Sequence, residues 1–270
     1  MDERIIAIKG AGEMATGVAI RLYRAGFHRL FMLERERPLA VRRTVSFCEA
    51  IHEGSLVVEG VEAIRADGPE AFQAHWDAGR IPVIADPSWR ILRAVAPDVL
   101  VDGTLAKRNL GTRITDAPLV IGLGPGFTAA EDVHLVVETM RGHDLGRVIH
   151  RGTALPNTGI PGEIGGHTVD RILRAPVTGA LLAAREIGDR VKAGEVVGTV
   201  EGEAVIARIG GILRGAIRER TAVRAGVKIG DIDPRGCPEM CHTVSDKARA
   251  IGGGVLEAIL SVPRRTRARS

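Results

Sequence analysis

Short apolar segments alternating with amphipathic ones open this chain. RIIAIK, residues 4–9, is apolar and β-branched without polar alternation, the pattern of a strand buried on both faces. EMATGVAIRLYRAG follows with helical spacing and a glycine stop, and RLFMLE reads as a second strand. RPLAVRRTVSFCEAIHEG predicts a helix ended by glycine, SLVVEGVEAIRA one or two strands, and GPEAFQAHWDAG a helix starting behind Pro69. IPVIADP, SWRILRAVAP and DVLVDGT predict strand, helix and strand. Strands alternating with helices in this way predict a parallel, doubly wound sheet.

The pattern changes near residue 150. ALPNTGIPGEIGGHT is rich in Gly, Pro, Asn and Thr and predicts a long loop. From Arg174 onward short strands are separated by glycine turns with no helical period, which predicts an all-β unit. Its two halves repeat: APVTGALLAAREIGDRVKAGEVVGTV and ARIGGILRGAIRERTAVRAGVKIGDI share a glycine turn, a strand, a charged turn and a final strand. The pair resembles the biotinyl/lipoyl-type barrel-sandwich hybrid. Carriers of that fold bear a lysine on the central hairpin, and VEGEAVIA, residues 200–207, has none, so a structural, docking or substrate-covering module is expected. KARAIGGGVLEAIL predicts a last helix capped by Ser245 or Thr243. Gly252, Gly253 and Gly254 each weaken it by ~1 kcal/mol relative to alanine, a cost that suggests close packing against another backbone. The expected architecture is thus α/β, with a Rossmann-like parallel-sheet domain over 1–155 and a barrel-sandwich β domain over 171–235. A cysteine-containing loop and C-terminal helix over 236–262 and a disordered basic tail over 263–270 complete it.

Composition narrows the partners. In 270 residues, 45% are hydrophobic and 26% charged, as in an ordinary globular protein, and no apolar run approaches the ~18 residues of a membrane span. MDERIIAIKG lacks the charged and apolar regions of a signal peptide, and three cysteines suit a reducing compartment, so the expected location is the cytoplasm with no membrane partner. The net charge of +4 owes much to the final PRRTRARS, and 3% aromatic residues are too few to stack bases, so nucleic acid is not an expected partner.

The chemistry concentrates in the first strand-to-helix turn. Gly10, Gly12 and Ala15 form GxGxxA, which allows a tight turn, close approach of a pyrophosphate and close helix packing, with Glu13 and Met14 presenting amides at the helix start. Glu34, at the end of the second strand, stands where an acid would bind ribose hydroxyls, while Arg35 and Arg37 suit a 2′-phosphate. The turn therefore predicts a dinucleotide such as NAD(P), although a bare glycine turn closing a βαβ unit is also consistent with it. Asp86 and Asp102 end later strands, at the edge where open sheets bind ligands, or else cap the next turn. Gly103 belongs to that turn. Gly122, Gly124 and Gly126 form a second glycine loop that either binds an anion or merely turns the chain. Lys107, Arg108, Asn109 and Arg113 offer donors to an anionic substrate. Glu163 and His167 are candidates for acid/base work. Cys237, Cys241 and His242 form a CxxxCH cluster: Cys241, with a thiol pKa lowered by the following helix N-terminus, would be a nucleophile or sulfur carrier beside His242. A zinc site needs about four ligands, more than this cluster supplies, and no metal is expected.

KGAGEMATGVAIRL, ERPLAVRRTVSF, DGTLAKRNLGT, GLGPGFTAAEDVH, VETMRGHDLGRVI, PNTGIPGEIGG, KIGDIDPRG and SDKARAIGGGVLEAIL together resemble the YqeB family, accessory proteins of the selenium-dependent molybdenum hydroxylase system. The resemblance runs from about residue 5 to residue 260. It implies a cytoplasmic protein that accompanies molybdenum hydroxylases of the xanthine dehydrogenase type and helps mature or insert a modified molybdenum cofactor. The hydroxylase apoprotein is the implied partner, with self-association a further expectation. The cofactor's dinucleotide form presents a pyrophosphate to the first glycine turn, and Cys241 would then handle sulfur or selenium. An NAD(P)-dependent oxidoreductase acting on a small acidic substrate, with Lys107 or His167 near the carbonyl, is the other function these residues suggest.

Overall fold

A computed structural model describes residues 2–263, so residues 264–270, most of the expected basic tail, lie outside the described residues. The first apolar segments pair as strands β1 (Ile6–Lys9), β2 (Leu30–Glu34), β3 (Ser55–Val58), β4 (Val61–Ala66), β5 (Ile81–Ala85), β6 (Val99–Asp102) and β7 (Leu119–Leu123). Short strands β8 (Thr128–Ala129), β9 (Leu135–Val137), β10 (Val148–Ile149) and β11 (Gly152–Thr153) follow. The helices are α1 (Glu13–Arg24), α2 (Ala50–Glu53), α3 (Phe72–Asp77), α4 (Ile91–Val95) and α5 (Asp246–Ser261). Nine strands join in one sheet, ordered β10-β9-β7-β6-β1-β2-β5-β4-β3. Its seven central strands are parallel, while β10 and β3 pair antiparallel at the edges.

Alternate strand residues face opposite cores, as the two-residue strand period requires. Ile6, Ile8, Leu30 and Met32 pack with the apolar faces of α1 and α5, whereas Ala7, Phe31 and Leu33 pack with Phe72 of α3 and Leu92 of α4. Helices α1 and α5 run side by side in the same direction. A Cβ on Gly17 would stand 2.7 Å from the Ala248 Cβ, and one on Gly252 2.9 Å from the Gly17 carbonyl oxygen. One on Gly254 would collide with the Gly146 carbonyl. Two of the three consecutive glycines are thus there for close backbone approach, as their propensity cost suggests, while Gly253 has nothing within 4 Å. Ser245 caps α5 by accepting from the Ala248 amide.

The second half forms β12 (Ile172–Arg174), β13 (Gly179–Ala183), β14 (Arg190–Val191), β15 (Val196–Val200), β16 (Glu203–Ile206), β17 (Gly211–Ala216), β18 (Ala222–Val223) and β19 (Lys228–Asp233). They make two four-stranded antiparallel sheets, β12-β19-β17-β14 and β16-β15-β13-β18. Each sheet takes strands from both sequence repeats, so β14 of the first repeat pairs with β17 of the second and β18 of the second with β13 of the first.

The expected architecture, a Rossmann-like parallel sheet followed by a barrel-sandwich hybrid, is corrected. The large sheet is mixed, and it is not doubly wound: the chain passes from β6 to β7 and from β7 to β9 through loops rather than helices. The second half is a pair of separate antiparallel sheets, and α5 is no appendage but part of the helical layer on the large sheet. The helix expected over RPLAVRRTVSFCEAIHEG is also broken, into 3-10 turns at Arg43–Val45 and Phe47–Glu49 and the single turn of α2. Its amides are engaged elsewhere: Phe47 donates to the Thr16 hydroxyl at 2.8 Å and Cys48 to the Ala11 carbonyl at 2.8 Å. The segment braces the first glycine turn instead of forming a helix.

Candidate functional site

β1 ends at Lys9, and Gly10 turns the chain with a φ of +83°, a left-handed conformation that glycine adopts freely. The same glycine lets β1 approach β6, because a Cβ there would stand 3.2 Å from the Gly103 carbonyl oxygen. Gly103 in turn makes room for Ala15, whose Cβ lies 3.1 Å from where a Gly103 Cβ would be. The small residue at the third position of the GxGxxA spacing is therefore required by strand and helix contact, as that motif demands.

Gly12 is the N-cap of α1. Its backbone is extended, no side chain caps it, and a Cβ there would meet nothing within 4 Å. Open space thus lies beside the uncapped, positive end of a twelve-residue helix. Glu13 stands in that turn with its carboxylate 2.7 Å from the buried Arg42 guanidinium, which also donates to the Met240 and Thr243 carbonyls.

Two cavities meet over this turn. One, of about 480 Å³, is lined by Gly10, Gly12, Glu34, Arg35 and Gly103, with Arg37 and Trp89 also on its wall. The other, of about 590 Å³, extends from the same Gly12, Glu13, Met14 and Leu39 toward Lys107, Glu163 and the β unit. Gly10, Gly12, Glu13, Met14, Glu34, Arg35 and Gly103, expected at the cofactor, are thus brought together. Glu34 has a second task, since its carboxylate accepts from the Ala11 amide at 2.8 Å and the Arg35 amide at 2.9 Å, holding the turn closed.

Asp102 does not project into either cavity. It is 1% exposed and accepts from the Thr104 amide at 3.1 Å, the Thr104 hydroxyl at 2.7 Å and the Thr112 hydroxyl at 2.6 Å. Lys9, equally buried, donates to Thr112 at 2.7 Å, and its burial lowers the ammonium pKa. Asp102 is a turn cap within a buried network, the commoner role of an Asp-Gly dipeptide. The second glycine loop is likewise packed rather than open. A Cβ on Gly124 would collide with the Thr139 hydroxyl, and one on Gly126 would stand 2.6 Å from the Arg108 backbone.

Cys241 is fully buried at the end of the 3-10 turn Pro238–Cys241, and burial pushes its thiol pKa up, the reverse of the lowering expected from a helix N-terminus. His242 is exposed beside it and Cys237 is half-buried. Glu163 lines the larger cavity but is exposed, and His167 hydrogen-bonds Asp170 instead of facing a catalytic partner. Among the described residues no group of three or more His, Cys, Asp or Glu is placed to hold a metal ion.

Sequence reasoning missed the charged wall of the larger cavity. Arg171 pairs with Asp231, and Arg214 bonds Asp231 through Nε at 2.9 Å and Asp233 at 3.0 Å, with all four residues buried. Lys228 lies 3.6 Å from Asp231, its pKa lowered by burial. The available signal was ionic residues inside otherwise apolar strands, ILRGAI and KIGDID, where a buried charge must be paired.

No protein-family model matches the chain. Two solved structures show distant likeness: a succinylglutamate desuccinylase/aspartoacylase from Rhodobacter sphaeroides, at 18% identity over 53% of this chain and 60% of that one, and an aspartoacylase family protein from Mesorhizobium loti, at 12% over 86% and 85%. Their TM-scores of 0.24 and 0.27 are too low to bear on the activity of this chain. The chain is 48% identical over 257 residues, 95% of its length, to the uncharacterized protein YqeB of Escherichia coli strain K12, and spans about half (47%) of that relative. Identity at that level along nearly the whole chain supports the YqeB family as the one to which it belongs.

Proposed function

We propose that this chain is an accessory protein for selenium-dependent molybdenum hydroxylases that binds a nucleotide, or the dinucleotide form of the molybdenum cofactor, across the Gly10–Ala15 turn. The observation that carries the binding reading is the meeting of two cavities over an uncapped helix start, Gly12 to Met14. An uncapped helix start and its dipole at that point favour a pyrophosphate, and the two cavities give the groups on either side of it separate places. The hydroxylase link rests on the family resemblance, with the apoprotein as partner. The buried Cys241 has no part in this reading, so sulfur or selenium handling falls outside it.

Thermal stabilisation by NAD, NADP, adenine nucleotides and cytidine nucleotides tests the proposal. Cytidine dinucleotide-type ligands raising the melting temperature support cofactor maturation, and a response confined to NAD or NADP instead supports an oxidoreductase. Gly12→Asp supplies the control, because the added side chain enters open space and sets a carboxylate where the phosphate would sit. The variant is expected to fold and to lose the stabilisation. Stabilisation retained by Gly12→Asp, or given by no nucleotide, refutes binding at the turn.

A further inference from the structure

The larger cavity carries more positive charge than its own carboxylates neutralise. Seven basic side chains line it against three acidic ones, Glu13, Glu163 and Asp231. Glu13 is bound to Arg42, and Asp231 is shared between Arg171 and Arg214. Lys107 and Lys247 are left over: neither forms an ion pair or a side-chain hydrogen bond among the described residues, and the Lys247 ammonium is lowered by burial and by the Lys107 charge, with the Glu13 and Glu138 carboxylates opposing that shift. Partial burial lowers Lys107 as well, although that residue is exposed while Lys247 is half-buried. Two like charges that line one half-enclosed cavity repel, and an anion between them relieves that repulsion.

Lys107 is also held at a φ of +64°, with Leu105 at +53° just before it, a left-handed backbone that non-glycine residues enter at a cost and that places the lysine at the cavity.

We propose that this cavity holds a doubly charged tetrahedral oxyanion, either the phosphate of a phosphomonoester or the free inorganic ion, with Lys107 and Lys247 as its main ligands. The site goes beyond nucleotide binding at the glycine turn and does not require it. Lysine provides a compact charge with rotatable donors suited to such a group, while the Arg171 and Arg214 cluster fixes the wall behind it.

The test is calorimetric titration of the purified chain with inorganic phosphate and, separately, phenyl phosphate, against chloride at matched ionic strength. Saturable binding of either phosphate, weakened by about tenfold or more in Lys107→Gln/Lys247→Gln, is the expected result, since a hydrogen bond to a charged group contributes about that much. Tighter binding of phenyl phosphate assigns a phosphomonoester, and tighter binding of phosphate the free ion. Lys192→Gln/Arg208→Gln removes the same charge outside the cavity and is expected to bind as the parent does. Chloride binding as well as phosphate, or equal losses in the two double variants, overturns the site. Failure of every nucleotide at the turn leaves this result intact, so the two readings fail separately.

Discussion

The three glycines of α5 make opposite predictions for one substitution. Alanine in place of glycine gains about 1 kcal/mol in a helix interior. At Gly253 nothing lies within 4 Å of the added methyl, so that gain is realised and Gly253→Ala is stabilising by about 1 kcal/mol. At Gly254 the methyl falls on the Gly146 carbonyl and stands 2.8 Å from the Val137 side chain. A carbonyl in a tight turn cannot rotate away as a side chain can, which places the cost near the upper end of overpacking, about 3 kcal/mol. The net for Gly254→Ala is a loss of about 2 kcal/mol. Gly252→Ala, 2.9 Å from the Gly17 carbonyl and 3.0 Å from the Arg21 Cβ, falls between them. Each kcal/mol moves the melting temperature by about 2–4 °C in a chain of comparable size. Differential scanning calorimetry should therefore place Gly253→Ala about 2–4 °C above the parent and Gly254→Ala about 4–8 °C below it. A Gly254→Ala protein as stable as Gly253→Ala would refute the close contact of α5 with the 146 turn.

Two further outcomes follow from ionisation and burial. The bidentate hydrogen bond from Arg141, at 2.6 and 2.7 Å, holds the Asp246 carboxyl down to about 2. A depressed carboxyl stabilises the fold above its unfolded value near 3.9 and loses that contribution as pH falls through the folded one. Urea midpoints should hence decline more steeply between about pH 4 and pH 2 in the parent than in Asp246→Asn, by a small margin because the side chain is 71% exposed, and identical slopes would count against the pair. Iodoacetamide at about pH 8 should label only Cys237 in the folded protein, because thiolate and access are both needed and Cys48 and Cys241 are buried with raised thiol pKa values. Labelling of Cys241 without denaturant, read by peptide mass, would restore it as a reactive group.

The local grammar of the first half was legible. β1, α1, β2, β5 and β6 fall within the apolar and amphipathic segments that predict them, because a buried parallel strand and a half-buried helix leave distinct hydrophobic periods. The tertiary arrangement was not. Nothing in DGTLAKRNLGT says that the crossover after β6 will be a loop, since the sheet face left there is covered by α5 from far along the chain. The helix expected at 37–54 fails for a similar reason: its amides are claimed by Thr16 and Ala11, contacts no local pattern encodes. At the site, the glycine turn was readable because its spacing is a backbone requirement. Asp102 was left between binding and capping, and Cys241 was expected to be reactive, because an acid after a strand and a thiol before a helix look the same whether they face a cavity or a core. Lys247 was hidden because its neighbour Lys107 belongs to a distant segment.

The pairing of α1 with α5 also fixes when the site can exist. The glycine turn leaves the ribosome long before the helix beside α1, which lies far along the chain. Until residues 245–261 emerge, α1 has an uncovered apolar face and the larger cavity lacks the Ser245 and Lys247 side of its wall. A nascent chain paused before that point carries the whole motif without its surroundings, so ligand capture becomes a report that synthesis has passed α5.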